Sequence, residues 1–434
     1  MMEIRRWKVL VGHLATTGCR ALRRGWVLTT LIVLAIGLGI GATMTMVTVL
    51  HVMSDDPIPG KSAHLYYPHL QPAPPGYLAM DPGSRFTWRD ATQLLRENRA
   101  QRQAVMAPGR VAVTPPGHRA FYEAGHYVSA QFFSMFDTPF AAGTGWKAGD
   151  DETEQRVTVL NGGMARRLFG TEAAAVGKMV ALQGREFQVI GVLADWHPAP
   201  LFYGGAAGDW AFRSEDEFFL PLSTAMRLEL PIAGGETCWG AGDRKSDACA
   251  WLQFWVELDS PAQVADYRQF LVNYWHTQVQ AGRPVLDIKP ELLTFRQRLD
   301  TLHLVPANVR LQFWLAAGFF GVCLFNTVSL MLAKFLRRSG EIGVRRALGA
   351  SRMDIFLQFG MEAGALGMVG GCLGIAFTHM GLWLIHQRPD AYARLAHVDT
   401  SIVTATVITS LVASLVAGLL PAWRASHVVP TLQA

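Results

Sequence analysis

Few residues in this chain stand in the patterns that catalysis or metal binding requires. Lys61 and Ser62 follow Gly60 as in a phosphate-binding loop, but that motif needs another glycine five residues earlier, where the chain has Asp55. The HExxH, CxxC and GxSxG patterns are absent from the sequence, and the 13 histidines show no ligand spacing. We therefore expect no catalytic residue, no metal site and no cofactor bound by this chain itself.

One basic segment instead has the pattern of a structured contact surface. Residues 339–362 read SGEIGVRRALGASRMDIFLQFGME and include Arg345 and Arg346. Gly349, followed closely by Ser351, is typical of a helix end and of the N-cap of a new helix. The pattern predicts a short helix, a tight turn and a second helix. The alternative is a charged loop that only sets membrane topology.

Four long stretches with almost no Asp, Glu, Lys or Arg are the elements that must position this segment. Each is at least as long as the roughly 20 apolar residues that cross a bilayer as a helix. The first is too long for a cleaved signal peptide, whose apolar part has about 7–15 residues. Only 17% of the chain is charged, below the roughly 25% usual for soluble domains. We assign the four spans to residues 25–53, 311–335, 362–387 and 400–423.

The charge distribution predicts the orientation of these spans. Residues 1–25 carry a net charge of +5 and residues 334–354 a net charge of +4, whereas the whole chain carries only +5. Because cytoplasmic loops are enriched in Lys and Arg, we expect both termini and the 336–361 loop to be cytoplasmic. The excess positive charge is then a topology signal, so we expect no nucleic-acid partner. We expect residues 1–24, as an amphipathic segment or as a simple basic flank, and the tail 424–434 to be cytoplasmic, and segments 54–310 and 388–399 to lie outside.

The outer segment 54–310 predicts an α+β domain between the first two spans. Residues 178–182 and 185–193 are strand-like runs joined by Gln183 and Gly184, a pair typical of a hairpin turn. Helices are predicted over 162–169 and from Pro261 to about Gln280. Residues 203–247 are glycine-rich and fit no regular pattern.

Two cysteine and four glycine positions predict close contacts. Cys238 and Cys249 lie near each other in the outer segment, where an oxidising compartment favours a disulfide; two separate small side chains are the alternative.

Small residues spaced as GxxxG let helices approach closely in lipid. Glu362 begins the third span, where we expect an interfacial position. The GxxxG pairs chosen for helix packing are Gly37 with Gly41 and Gly367 with Gly371.

A family resemblance joins these features. Residues 341–351, EIGVRRALGAS, closely resemble the hallmark of FtsX-like permeases of the MacB type, which are subunits of ABC transporters. Residues 182–193, LQGREFQVIGVL, look like that family's extracytoplasmic core domain, and residues 420–426, LPAWRAS, are similar to its closing motif. MacB itself carries a fused ATPase domain, and this sequence shows none.

The resemblance implies a permease subunit in a bacterial inner membrane that has no enzymatic activity. It would sit in the lipid bilayer as a dimer with a second copy or a paralogous permease. ATP and Mg²⁺ would be bound by separate ATPase subunits, and a periplasmic adaptor and an outer-membrane duct are further candidate partners. Movement of the periplasmic domain would drive the export of a peptide, drug or other small amphiphile.

The resemblance also implies roles within the coupling element, residues 336–361. Arg345 and Arg346 would pair with acidic groups on the ATPase, Gly343 would permit its close approach, and Gly349 would permit the turn. The remaining motif residues are Glu341 and Ser351.

Two other functions fit the same resemblance. The chain could release lipoproteins from the membrane, or it could transport nothing and regulate a cell-wall enzyme or a sensor. The long outer segment favours transport.

Overall fold

The computed structural model describes residues 26–70, 85–115, 119–194, 196–212, 216–239, 243–283, 289–387, 395–396 and 400–426. The chain divides into two compact units. The helical unit comprises Met1–Met53 with Val305–Ala434, and the large domain comprises Ser54–Leu304. The predicted amphipathic segment 1–24, most of the 388–399 loop and the end of the tail lie outside the described residues.

Among the described residues of the helical unit, four helices have the length and apolar composition to span a bilayer, as predicted from the sequence. We call them the first to fourth spanning helices. The third begins at Arg352, ten residues before the span assigned from the sequence, and continues without a break. Their bounds are Trp26–Ser54, Ala307–Leu336, Arg352–His386 and Thr400–Ser426. A shorter loop helix, Ser339–Ala347, lies between the second and third.

A shared apolar core holds the helical unit together. Ile32, Ile36 and Ile40 recur every four residues, so they line one side of the first spanning helix. They belong to one buried cluster with Phe335 of the second helix and Phe359 of the third. Because lipid tails are as apolar as these side chains, close packing rather than water exclusion stabilises such contacts.

The large domain is built on a mixed sheet. Twelve strands of the described residues belong to it, and nine of them run in the order β12-β1-β11-β3-β4-β9-β6-β8-β5. β4 pairs with β9 and β6 with β8 in parallel, and the other pairs are antiparallel. The strands are β1 Leu65–His69, β2 Phe86–Thr87, β3 Arg102–Thr114, β4 Phe121–Val128, β5 Phe140–Gly143, β6 Val157–Asn161, β7 Met179–Leu182, β8 Arg185–Leu193, β9 Phe218–Pro221, β10 Thr237–Cys238, β11 Cys249–Glu257 and β12 Glu291–Thr294.

Short helices connect these strands, and polar N-caps begin several of them. Thr87, Asn161 and Ser260 each accept a hydrogen bond from a backbone N–H in the first turn of the following helix. The helices are α1 Trp88–Glu97, α2 Phe132–Met135, α3 Ala148–Glu152, α4 Gly162–Phe169, α5 Glu172–Ala175, α6 Leu222–Arg227, α7 Pro261–Gln280 and α8 Phe295–Thr301.

The predicted α+β composition and the 178–193 hairpin are confirmed. β7 and β8 pair antiparallel, and both turn residues, Gln183 and Gly184, have positive φ angles as a tight hairpin requires. The glycine-rich region 203–247 contributes β9, α6 and β10 to the sheet and its cover. Its irregular sequence therefore contains regular elements that are too short for a periodic pattern.

Candidate coupling site

The loop helix ends in a backbone turn that requires glycine. Gly349 has a φ of +99°, a region that L-residues rarely adopt. The Ala350 N–H donates to the Arg345 carbonyl over 3.1 Å, which closes the wide hydrogen-bonded turn of a Schellman motif. Gly349 is therefore needed for its backbone angle rather than for space, because no atom lies within 4 Å of where a Cβ would stand.

The third spanning helix begins immediately after this turn. The Ser351 Oγ accepts from the Asp354 N–H, and the Asp354 carboxylate accepts from the Ser351 N–H. This reciprocal capping box satisfies two backbone donors that the helix leaves unpaired. The loop helix and the third spanning helix are thus separated by only a few residues of defined geometry.

Arg345 is held by partners within the chain. One guanidinium nitrogen lies 2.8 Å from Oε1 of Glu341, and the other donates to Oε1 of Gln358 over 2.9 Å. Gln358 belongs to the third spanning helix, so Arg345 links that helix to the loop helix. The side chains of Glu341 and Arg345 are about half exposed. The side chain of Arg346 lies outside the described part of the chain.

The loop helix buries one apolar side chain and exposes another, and two more are exposed in the turn after it and at the start of the third spanning helix. Ile342 is buried in the same cluster as Phe335 and Phe359. Val344 is 61% exposed, Leu348 83% and Met353 60%. Among the described residues, none outside this helix comes within 4 Å of the position that a Cβ on Gly343 would occupy. This side of the helix is therefore open.

A buried ionic cluster adjoins this segment, and the sequence did not reveal it. Oε1 of Glu362 lies 2.7 Å from Nζ of Lys334, and Oε2 lies 3.1 Å from a guanidinium nitrogen of Arg338. Lys334 also donates to Oγ1 of Thr29 on the first spanning helix. Lys334 and Glu362 are both more than nine-tenths buried. The contacts therefore join the first, second and third spanning helices, and Glu362 is a buried partner rather than an isolated interfacial residue.

The sequence contained one signal for this cluster. Lys334 lies near the end of the second spanning helix and Arg338 lies in the turn after it, so basic residues follow the apolar run. Their partner is 24 or more residues further along the chain, so the pairing depends on how the helices pack.

The four packing glycines lie against neighbouring spanning helices. A methyl group at Gly37 would lie 3.0 Å from the Leu373 side chain, and one at Gly41 would overlap Phe377. Gly367 and Gly371 face the fourth helix, where Ser410 and Ser414 occupy the space beside them. The Ser410 hydroxyl donates to the Gly367 carbonyl. The small residues thus let three helices approach closely.

Cys238 and Cys249 are joined by a disulfide within the large domain. They are directly opposed on β10 and β11, so the bond crosses an antiparallel pair. Among the residues that the structure describes, no group of three His, Cys, Asp or Glu side chains could hold a metal ion.

Two family models match most of the chain. Residues 29–273 match the MacB-like periplasmic core domain, and residues 313–430 match the FtsX-like permease C-terminal region.

Curated relatives are ATP-binding/permease proteins. The macrolide export protein MacB of Bdellovibrio bacteriovorus is 28% identical over 294 residues, which cover 65% of this chain and 39% of that protein. The pyoverdine export protein PvdT of Pseudomonas syringae pv. tomato is 26% identical over 301 residues, covering 69% and 40%. The chain therefore spans about two-fifths of the length of these relatives.

Among solved structures, the periplasmic region of MacB from Actinobacillus actinomycetemcomitans aligns with a TM-score of 0.38 and 16% identity. The alignment covers 58% of this chain and 97% of that structure.

Proposed function

Because this chain belongs to the MacB/FtsX-type family of ABC transporter permeases, we propose that it couples ATP hydrolysis on separate ATPase subunits to movement of its large domain. Permeases of this family work with ABC ATPase partners. The chain is a multi-pass membrane protein, and we place its large domain in the periplasm and both termini in the cytoplasm. The 336–361 element is then the surface that meets the ATPase.

The observation that carries this proposal is the set of exposed apolar side chains along residues 344–353, from the loop helix through the turn to the start of the third spanning helix. Val344, Leu348 and Met353 are exposed in a segment that is otherwise basic and well ordered by its caps. Exposed apolar side chains that cluster within a polar rim mark contact sites on proteins. A charged loop that only sets topology needs neither these side chains nor a capped turn.

Arg345 has a positioning role in this proposal. Its bonds to Glu341 and Gln358 hold the loop helix against the third spanning helix. Arg346 remains the proposed contact for an acidic group of the ATPase. An exposed ion pair contributes only about 0.2–1 kcal/mol, so the apolar contacts must supply most of the affinity.

The ionic cluster provides a route for the movement. Arg338 directly precedes the loop helix, and its partner Glu362 also binds Lys334. Lys334 in turn contacts Thr29 of the first spanning helix. In the sequence, the first and second spanning helices lead directly into the large domain, so a shift of the loop helix can reach both connections.

We assign export of a small amphiphile as the transport reaction. Relatives of this chain are named as exporters of macrolides and pyoverdine, and another as a probable exporter of syringafactin. We also propose that two permease chains assemble with the ATPases, and that a periplasmic adaptor and an outer-membrane duct complete the path.

A copurification experiment tests the proposal. Leu348→Glu should reduce recovery of the ATPase subunits that copurify with the wild-type chain by about tenfold, because it places a charge in an apolar contact. Leu348→Met is the matched control and should retain the ATPase. ATP hydrolysis by the purified complexes should follow the same order.

The two variants also set the outcomes that would contradict the proposal. Normal ATPase recovery and hydrolysis with Leu348→Glu would show that this surface is not the contact. Loss of the Cys238–Cys249 disulfide in that variant would reveal misfolding instead, so it is checked in each preparation.

A further inference from the structure

A second feature, in the large domain, is a cavity that the coupling proposal does not use. It has a volume of ≈ 500 Å³ and lies between α1, β3, α3 and the start of α6. This volume is within the range of small-molecule sites. Its apolar wall includes Trp88, Leu95, Val105, Leu222 and Leu252.

Two residues that line this cavity carry buried polar atoms without hydrogen-bond partners in the described structure. Gln103 is 1% exposed, and its Oε1 has no partner among the described residues. Its amide nitrogen faces the Leu95 carbonyl and Asn98, so the oxygen is the free end of the amide. The Ser223 hydroxyl, which also lines the cavity, likewise lacks a partner in the described structure. Buried polar atoms are nearly always hydrogen-bonded. We therefore expect a ligand to supply the partners that these two atoms lack.

Asp151 brings a carboxyl group to the same cavity. Its Oδ2 accepts the Ala130 N–H over 2.7 Å, which fixes the orientation of the side chain. Among the described residues no Lys, Arg or His pairs with it or shifts its pKa, and its Oδ1 is buried without a hydrogen-bond partner. Burial is the main cause that raises the pKa of the Asp151 carboxyl to about 7; nearby Asp150 contributes to this rise, and the hydrogen bond from the Ala130 N–H opposes it. The Asp151 carboxylate therefore has no positively charged partner among the described residues.

The other charged residues at the cavity do not form an ion pair with Asp151. Glu152 also lines it and adds negative charge. Arg96 lines it from an exposed position on α1 and makes no ion pair with either acid in the described structure.

We propose that this cavity binds a protonated amine carried on an apolar body. The ammonium group would donate to the Asp151 carboxylate and to Oε1 of Gln103, and the apolar body would lie against Trp88 and Leu252. A neutral ligand would form no ion pair with Asp151, and an anionic ligand would be repelled by Asp151 and Glu152. The proposal concerns the large domain alone and does not depend on coupling to an ATPase.

Two probes of nearly equal shape test the proposal. We would titrate 1-naphthylmethylamine and 1-naphthalenemethanol into the full chain in nanodiscs of zwitterionic lipid, with empty nanodiscs subtracted. The amine should bind the wild-type chain about tenfold or more tightly than the alcohol, because hydrogen bonds to a charged group are stronger than neutral ones.

Variants then locate the site. Asp151→Asn keeps an acceptor for the Ala130 N–H, and it should lower affinity for the amine about tenfold while leaving the alcohol unchanged. Asp150→Asn removes the same charge from the neighbouring residue, which does not line the cavity, and should change amine affinity less than twofold. Unchanged alcohol binding shows that Asp151→Asn has kept the cavity.

Three results would overturn the proposal. They are equal amine affinity in the wild type and Asp151→Asn, equal losses from Asp150→Asn and Asp151→Asn, and no binding of either probe above that of empty nanodiscs.

Discussion

Some side chains in the coupling element bond to other residues of this chain, so mutating them also changes the structure of the element. Arg345 bonds to Glu341 and Gln358, so replacing it disturbs the loop helix as well as any contact with an ATPase. Gly349 adopts a left-handed angle in open space, whereas Gly343 lies in ordinary helix in equally open space. Because neither position is crowded, substitutions at these two glycines differ only in the backbone strain that they introduce.

A charge swap separates the two possible roles of Arg345. Arg345→Glu should weaken ATPase capture, because it places two acids at helix positions i and i+4. Glu341→Arg combined with Arg345→Glu restores an ion pair and should recover most of the capture if Arg345 acts by positioning. Copurification measures both variants. Failure of the double variant to recover would instead assign Arg345 a direct contact with the ATPase.

Gly349→Ala should destabilise the coupling element by about 1–2 kcal/mol, the cost of a left-handed angle for an L-residue. Gly343→Ala should leave the isolated chain unchanged or stabilise its helix slightly, since Ala favours helix. Hydrogen exchange across 339–356 in the absence of ATPase would detect the difference. Equal exchange in the two variants would show that the turn does not need the positive φ angle of Gly349.

At the scale of elements, helices and strands with strong local signals were predictable. The four spans follow from apolar length, and the 178–193 hairpin follows from its turn residues. Contacts between distant segments were not predictable, because they depend on packing. The Glu362 cluster and the Gln358 partner of Arg345 are of this kind. The helix that begins after the Ser351 N-cap was also predictable, from Gly349 and Ser351.

Packing between spanning helices gives a matched pair of glycine substitutions. Gly41→Ala should destabilise the helical unit by about 1–3 kcal/mol, because the added methyl group overlaps Phe377 and overpacking has this cost. Gly364→Ala adds the same methyl group where no atom lies within 4 Å, and it should be neutral. Thermal unfolding of both variants in one detergent checks this. An equal loss of stability would show that the first and third helices are not packed as described.

At the scale of the whole molecule, the net charges of the segments predict which side of the membrane each one occupies. The basic 334–354 region and the N-terminal 1–25 region belong on one side by the positive-inside rule. The large domain between the first and second spanning helices then lies on the other side. This arrangement places the disulfide-bonded Cys238 and Cys249 in an oxidising compartment.

Reporter fusions test that arrangement. A phosphatase that is active only outside the cytoplasm should be active when it is fused after Gly208 and inactive when it is fused after Ser339. A reporter that fluoresces only in the cytoplasm should give the opposite pattern. Reversed activities would place the loop helix outside the cell and remove it from contact with any ATPase.

The third spanning helix has a mechanical consequence that follows from its length. With 35 residues it is about 52 Å long, whereas the hydrocarbon core of a bilayer is only about 30 Å thick. Residues 352–361, which precede the span assigned from the sequence, are therefore part of the same continuous helix. A tilt of about 10° around the centre of such a rod moves each end by about 4–5 Å, close to one helical turn. In the proposed mechanism, such a rod would carry a push on the loop helix to the opposite end of the third spanning helix.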